Sequence, residues 1–385
     1  MDREDSLKAA ACSKRIKQEA HRLGFGLVGI APVQTPPHEQ FLAHWLREGF
    51  AGELDYMRRT ETLRREPQGL VPWAVSVVSV GVNYYTPLPR PTSGVEMRGW
   101  ISRYAWGDDY HQLLKKKLAD LLERVRGICG GSIEGRAFVD SGPVLERDVA
   151  GIAGIGWIGK NTHLISPRKG SWFFLGELFL NSKLAYDLPL RDRCGRCDLC
   201  LKACPTDAFV APYVLDARRC LSYLTIEKKG FIPRPLRPAM GCHVFGCDIC
   251  QEVCPYNVKA LPATDRSFAP RQGLYAPDLI PFLSMSEETF RLRFRGSPVL
   301  RAKRRGFLRN VAVALGNLGS PQAVDALIAA LDDSEPLVRG HVAWALGRIG
   351  STGVIKALQK RLVAENDIDV RREIEEALLE AEAKR

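Results

Sequence analysis

The chain has 385 residues, a net charge of +11 at neutral pH and 45% hydrophobic residues. That apolar share is typical of globular proteins, and no apolar stretch is long enough to span a membrane, so a disordered or a membrane-spanning chain is excluded. The length allows two or three domains, and the positive charge points to a polyanionic partner without specifying a fold.

In chain order, Ser13 to Leu23 has the spacing of an amphipathic helix, followed by a short strand over Gly26–Ala31. Ala74 to Val80 is an apolar, β-branched run of strand type. Tyr110 to Val125 carries a leucine stripe opposite a Lys/Glu face and predicts a helix. Arg136–Val139 and Trp172–Leu180 predict two further strands, the latter in a well-covered sheet. Strands alternating with helices argue for a layered α/β domain over residues 1–185.

Residues 186–262 hold a cysteine module. Cys194, Cys197, Cys200 and Cys204-Pro205 form C-x2-C-x2-C-x3-C-P, and Cys247, Cys250 and Cys254-Pro255 repeat its tail. This is the spacing of a two-cluster 4Fe–4S ferredoxin, in which the last cysteine of each run crosses to the other cluster. Three thiolates at two-residue intervals wrap one corner of a cubane, and the proline then turns the chain away. The first cluster takes Cys194, Cys197, Cys200 and Cys254. The second takes Cys204, Cys247, Cys250 and one more, for which spacing leaves Cys220 and Cys242 equally open, because Val244 occupies the regular position. Zinc knuckles pair shorter motifs, and disulfides do not suit a chain with no apolar signal segment. Cys12 and Cys129 stand outside the pattern and read as ordinary thiols.

A linker and basic segment over 263–297 leads into a helical repeat region over 298–385. Val311 to Gly319 recurs as Val342 to Gly350, an offset of 31 residues, which is the period of a HEAT-like solenoid. From Thr289 to Val324 there are eight basic residues and no acidic one: Arg291, Arg293, Arg295, Arg301, Lys303, Arg304, Arg305 and Arg309. Phe290, Phe294 and Phe307 are interleaved with them, a combination suited to phosphate contacts and base stacking. Lys228, Lys229, Arg234 and Arg237 extend the expected surface.

Several longer motifs carry a resemblance. Phe50 to Met57, Asn83-Tyr84-Tyr85, Ile101 to His111, Val139-Asp140-Ser141-Gly142-Pro143-Val144-Leu145-Glu146-Arg147 and Gly154 to Asn161 resemble the epoxyqueuosine reductases, and the resemblance runs on through both cysteine runs into the repeats. It implies a cobalamin enzyme with an α/β cobalamin-binding domain, a ferredoxin-like module and C-terminal HEAT-like helices. The implied reaction is the last step of queuosine biosynthesis: two-electron removal of the epoxide oxygen of epoxyqueuosine in a tRNA anticodon loop. It further implies Asp140 as proton donor and Cys220 as the remaining ligand of the second cluster. The cofactor would be held base-off, consistent with the lack of a D-x-H-x-x-G loop.

For the cobalamin pocket the matching motifs nominate Met57, Arg103, Tyr104, Asp140, Asn161, His163 and Ser222, with Gly154, Gly156 and Gly159 letting backbone approach a flat macrocycle. For tRNA the basic segment offers Arg291, Arg293, Arg301, Lys303, Arg304, Arg305 and Arg309. The chemistry agrees: thiolate-bound clusters supply low-potential electrons, cobalamin a reactive centre, and a carboxyl the proton for the leaving oxygen. The fold class is multi-domain, α+β joined to α. The expected setting is cytoplasmic and monomeric, with tRNA and a low-potential electron donor as partners and no membrane. Two other readings share part of this logic: a corrinoid reductive dehalogenase, disfavoured by the basic patch and repeats, and a non-catalytic electron carrier, disfavoured by the long α/β domain.

Overall fold

The computed structural model describes residues 3–89, 97–130 and 132–384. The chain forms two compact units, each discontinuous in sequence. The first comprises Met1–Pro87, Asp108–Ala217 and Ile249–Ala269; the second comprises Leu88–Gly107, Arg218–Asp248 and Pro270–Arg385. Residues 186–262 are thus apportioned, with 218–248 in the second unit and the flanking stretches in the first.

The first unit is built on a four-stranded sheet. Its strands are β1 (Leu27–Pro32), β2 (Ser76–Asn83), β3 (Gly135–Phe138) and β4 (Phe173–Leu180), in the order β1-β2-β4-β3. Every neighbouring pair is antiparallel, so the layered sheet is of α+β type rather than a parallel α/β sheet. Alternation of strands and helices in sequence reveals which elements exist, while strand direction depends on how many times the chain crosses the sheet between them. β2 is buried along nearly its whole length, as its Val-rich sequence requires. Helix α1 (Arg3–Arg22) begins earlier than its apolar stripe, through a polar first turn. Helix α2 (Tyr110–Cys129) lays Leu114, Leu118, Leu121 and Val125, all fully buried, towards the core. Gly176 in β4 has no side chain because the Leu118 methyl lies 3.0 Å from where a Cβ would stand.

A polar pair interrupts the middle of this apolar sheet. Ser79 of β2 and Glu177 of β4 are directly opposite in register, and both are fully buried. Glu177 is also opposite Phe138, the last residue of β3. The chain leaving β3 therefore passes beside a buried carboxyl before it enters the short helix α3 (Glu146–Ile152).

The second unit is mainly helical. Helices α4 (Lys303–Leu318), α5 (Val324–Ala330), α6 (Pro336–Ile349), α7 (Thr352–Ala364) and α8 (Ile368–Glu382) form the repeat region. The repeated Leu-Gly-x-(Leu/Ile)-Gly has a packing cause. A Cβ on Gly316 would lie 2.8 Å from the Ala345 Cα, and one on Gly347 would lie 2.8 Å from the Ala377 Cα. Each glycine lets its helix touch the backbone of the next. The second glycine of the motif, Gly319, ends α4 in the left-handed conformation of a C-cap. Helix α4 is also keyed into residues 218–248: Asn310 donates to the Thr225 and Val244 carbonyls at 2.7 and 2.8 Å, and Asn317 to those of Arg237 and Gly241 at 2.8 and 3.0 Å.

Candidate active site

Asp140 lies two residues beyond β3, at φ +51°, a left-handed conformation that aspartate tolerates better than most residues. Its side chain is 58% exposed. Three elements hold it. Its backbone N–H donates to Glu146 Oε1 at 2.6 Å, at the start of α3. Its Oδ2 accepts from the Tyr110 hydroxyl and faces His111 Nε2 at 3.2 Å, both in the first turn of α2. Arg64 donates to the Val144 carbonyl at 3.0 Å and so ties down the far side of the loop.

The turn of α2 that meets Asp140 is itself fixed. Asp109 is the N-cap: one oxygen accepts from the His111 backbone N–H at 3.0 Å and lies 2.7 Å from His111 Nδ1. The imidazole thus stands between two carboxylates. Burial alone would lower its pKa, but the hydrogen bonds to Asp109 and then Asp140 outweigh burial and raise it to about 9. The Tyr110 ring is held between the His111 ring, stacked at 4.1 Å, and Phe174, also at 4.1 Å.

Behind Asp140 a second pair of acids shares one environment. Burial and then the Asp140 charge push Glu146 up to about 7. Glu177 is held well above the usual carboxylate range, first by burial and then by Glu146, to which it is hydrogen-bonded. A half-buried and a fully buried carboxyl in contact favour sharing a proton over ionising together. The motifs that contain Tyr110, His111 and Glu146 were visible in the sequence, but no role followed from them. The signal for Glu177 was a lone acid in an otherwise apolar strand.

The other cofactor candidates of the first unit come from two separate stretches of sequence. Met57 packs on Leu42, Leu46 and Ala51. Asn161 is buried and donates to the Cys250 carbonyl at 3.2 Å. His163, held neutral because burial and then Arg147 lower its pKa to about 4, follows it by two residues. The glycines expected to approach a macrocycle face their own chain instead. A Cβ on Gly154 would meet the Leu188 carbonyl at 2.6 Å, on Gly156 the Ile165 carbonyl at 2.3 Å, and on Gly159 the Ile165 side chain at 2.4 Å. In the second unit, Arg103 is buried, donates to Asp248 Oδ2 at 3.3 Å and lies over Trp100 and Trp106. Tyr104 packs on Phe245, and Ser222 lies in the first turn of the helix Leu221–Ile226.

Cys194, Cys197, Cys200 and Cys254 line one cleft together with Lys160, Asn161, Ile165, Arg193, Pro255 and Tyr256. Lys160 Nζ donates to the carbonyls of Gly195 at 2.7 Å and Cys197 at 2.9 Å, and Asp192 accepts from the Cys194 N–H at 2.7 Å. Cys200 is pushed up to about 11 by burial and then by the thiols of Cys254, Cys194 and Cys197. Four thiols crowded this way ionise together only around a compensating cation, which is what an iron–sulfur cubane provides. Of the second set, Cys204 and Cys250 belong to the first unit, and the Ala208 N–H points at Cys204 Sγ at 3.3 Å. Cys220 and Cys247 belong to the second. Cys220 caps the helix Leu221–Ile226, and Thr225 of that helix accepts from the Gly246 N–H at 2.9 Å, next to Cys247. Cys242 stands at the opposite end of the strand His243–Phe245.

The basic segment is less available than its sequence suggests. Arg309 is buried and donates to the carbonyls of Lys228, Gly230 and Leu224 at 2.6 to 2.9 Å, so it is not a phosphate contact. Arg304 pairs with Asp333 and donates to the Met285 carbonyl at 2.6 Å. Arg301 forms a two-pronged pair with Glu227 at 2.9 Å, and Arg291 pairs with Glu287 at 2.7 Å. Arg234 and Arg237 pair with Glu373 of α8. Phe290, Phe294 and Phe307 are fully buried against one another and Phe282, as core residues rather than stacking platforms. Arg293, Arg295, Lys303 and Arg305 remain exposed.

Known proteins match this arrangement. The model of the 4Fe–4S double cluster binding domain matches residues 193–257, that of epoxyqueuosine reductase QueG residues 64–141, and that of HEAT repeats residues 299–379. The epoxyqueuosine reductase of Pseudomonas aeruginosa is 47% identical over 350 residues, covering 89% of this chain and 96% of its own. The chain belongs to the epoxyqueuosine reductase family. The Escherichia coli member is 42% identical, covering 87% of this chain and 89% of its own. A crystal structure of epoxyqueuosine reductase with an epoxyqueuosine-modified tRNA-Tyr stem loop superposes with a TM-score of 0.90 at 31% identity, covering 96% and 98% of the two chains. The Bacillus subtilis enzyme, with its catalytic aspartate loop swung out of the active site, superposes with a TM-score of 0.87 at 30% identity, covering 95% and 98%. Among the described residues no helix is long and apolar enough to cross a membrane.

Proposed function

We propose that this chain reduces epoxyqueuosine in tRNA to queuosine, with Asp140 delivering a proton to the epoxide oxygen. The observation that carries the reading is the placement of Asp140: an exposed carboxyl at positive φ, fastened through its backbone to Glu146 and through Oδ2 to Tyr110 and His111. A carboxyl so oriented can meet a leaving oxygen, and a loop-borne aspartate accords with the B. subtilis enzyme, whose catalytic aspartate loop is seen swung out of the active site.

Two 4Fe–4S clusters would relay the electrons. Cys194, Cys197, Cys200 and Cys254 would hold the first and Cys204, Cys220, Cys247 and Cys250 the second. Cys220 is favoured over Cys242 by the bond from Gly246 to Thr225, which joins the two ligand-bearing elements. Cobalamin, when bound, supplies the reactive centre that opens the carbon–oxygen bond. The residues fit it in kind. Its periphery is uncharged amides, and the neutral imidazole of His163 and the amide of Asn161 suit such partners without a buried charge. Met57, Arg103, Tyr104, Asp140 and Ser222 complete the proposed pocket.

In this reading residues 1–185 bind cobalamin, 186–262 carry the clusters, 263–297 connect them and 298–385 contact tRNA through exposed cations such as Arg293, Lys303 and Arg305. The setting is cytoplasmic. The test is anaerobic turnover of a tRNA stem loop bearing the epoxide, with the reconstituted enzyme and a low-potential reductant. Queuosine should form with the wild type and not with Asp140→Asn, although the variant binds cobalamin and both clusters. Full activity in that variant would remove Asp140 from the reaction.

A further inference from the structure

We propose that His111, clamped between Asp109 and Asp140, is the proton relay that recharges Asp140 within each turnover. The inference rests on the reading of Asp140 as proton donor and adds what a single carboxyl cannot do. Converting an epoxide to an alkene breaks two carbon–oxygen bonds, takes up two electrons and releases the oxygen as water. Water carries away two protons. Asp140 holds at most one, so a second must reach the same oxygen before the product leaves.

The geometry singles out His111. Its Nε2 lies 3.2 Å from Asp140 Oδ2, the oxygen that also receives the Tyr110 hydroxyl. Its Nδ1 lies 2.7 Å from Asp109, whose carboxylate can only accept, which fixes Nδ1 as the protonated nitrogen and leaves Nε2 to exchange a proton with Asp140. The backbone bond from His111 to the same Asp109 oxygen, and the stacked Tyr110 ring, keep the imidazole from turning away. Asp109 faces His111 from its own helix, with Lys115 acting on Asp109 from one turn further along. Asp140 faces it from the loop, and Glu146, Arg64 and Arg147 act on Asp140. The other nearby proton, shared by Glu146 and Glu177, is worse placed. Glu146 meets Asp140 through the Asp140 backbone N–H, so that pair positions the loop and does not feed the carboxyl. The step balances as follows: Asp140 gives its proton to the oxygen, His111 gives its Nε2 proton to Asp140, Asp140 delivers again as water leaves, and solvent reprotonates the half-exposed imidazole.

The test compares single-turnover rates across pH for wild type, His111→Gln, Asp109→Asn and Asp140→Asn, each loaded with cobalamin and clusters and given the epoxide-bearing stem loop. The wild-type rate should hold through neutral pH and fall as His111 loses its proton near pH 9. His111→Gln should lose about tenfold to a hundredfold at pH 8, with most of the rate recovered in acid, where solvent protonates Asp140 directly, and with stem-loop affinity unchanged. Asp109→Asn should move the alkaline limb to lower pH. A second readout needs no turnover: an NMR titration of the His111 imidazole should move to lower pH in Asp140→Asn. A His111→Gln enzyme that is unimpaired, or impaired equally at every pH, overturns the relay. Should Asp140→Asn remain active, the underlying reading fails instead.

Discussion

The backbone N–H of Asp140 is bonded to a side chain, Glu146 Oε1 at 2.6 Å, rather than to another strand, so a carboxyl at the start of α3 decides where the loop sits. That carboxyl is bonded in turn to Glu177, buried at the centre of the sheet. Replacing Glu146 with alanine removes the anchor while leaving the Asp140 side chain intact. Turnover should fall by about tenfold or more, because a loop displaced by an ångström forfeits alignment. Amide exchange over 139–145 should accelerate, whereas Glu146→Gln, which can still accept the bond, should restore most of the protection.

The same pair predicts a pH dependence of stability. Glu146 is raised from its ordinary 4.5 to about 7, so the folded chain binds more protons than the unfolded chain between those values. Stability from this group is complete below the unfolded value and is lost as pH rises through about 7. Glu146 keeps its part of this slope through burial and Asp140, whereas Glu177→Gln removes a second carboxyl held well above the ordinary range and should make the decline shallower. Urea unfolding at pH 5, 6, 7 and 8 measures it, and a slope as steep as the wild type's would mean that Glu177 takes up no proton on folding.

Lys160 fastens the first ligand loop through the carbonyls of Gly195 and Cys197, which places an ammonium beside the cysteine cleft. A fixed positive charge favours the more negative, reduced form of a cluster. Lys160→Met should therefore lower the potential of one of the two clusters in an EPR-monitored titration and leave the other in place. Two unchanged potentials would assign Lys160 to folding of the loop alone.

The double-cluster module, the strands and the repeat period were legible because each follows from local spacing. Sheet direction was not, since Val77 and Phe179 read the same in parallel and antiparallel neighbours. Nor was the fate of Arg309 or Phe307: a basic run with aromatics looks like a binding surface until the helix is packed, when α4 is buried on every side from Gly306 to Gly316 and takes both residues inside. His111 and Glu177 gain their meaning from Asp109, Asp140 and Glu146, partners that sequence order alone does not bring together. Asp109 is the exception, readable as an N-cap two residues before the histidine it holds.

The Leu-Gly repeat can be tested as packing. Gly316→Ala and Gly347→Ala each put a methyl carbon 2.8 Å from a neighbouring helix backbone, which cannot yield as a flexible side chain can. Each should destabilise the chain by about 1–3 kcal/mol, and the cluster absorbance should persist until the chain unfolds. Gly127 has nothing within 4 Å of a Cβ, so Gly127→Ala should be neutral or stabilising. Thermal unfolding of the three variants separates the two cases.

The basic segment divides into residues that hold the fold and exposed residues proposed to meet RNA, and salt dependence distinguishes them. Arg305 is exposed, whereas Arg309 is buried against three backbone carbonyls. Arg305→Glu should weaken stem-loop binding and reduce the slope of log affinity against log salt by about one for each phosphate that is no longer neutralised, with unfolding unchanged. Arg309→Ala should do the reverse. Leaving buried carbonyls without a donor costs about 1–3 kcal/mol for each group, so this variant should lose stability while any folded fraction keeps the wild-type salt slope. If Arg305→Glu bound with the wild-type slope, the RNA surface would have to be sought away from α4.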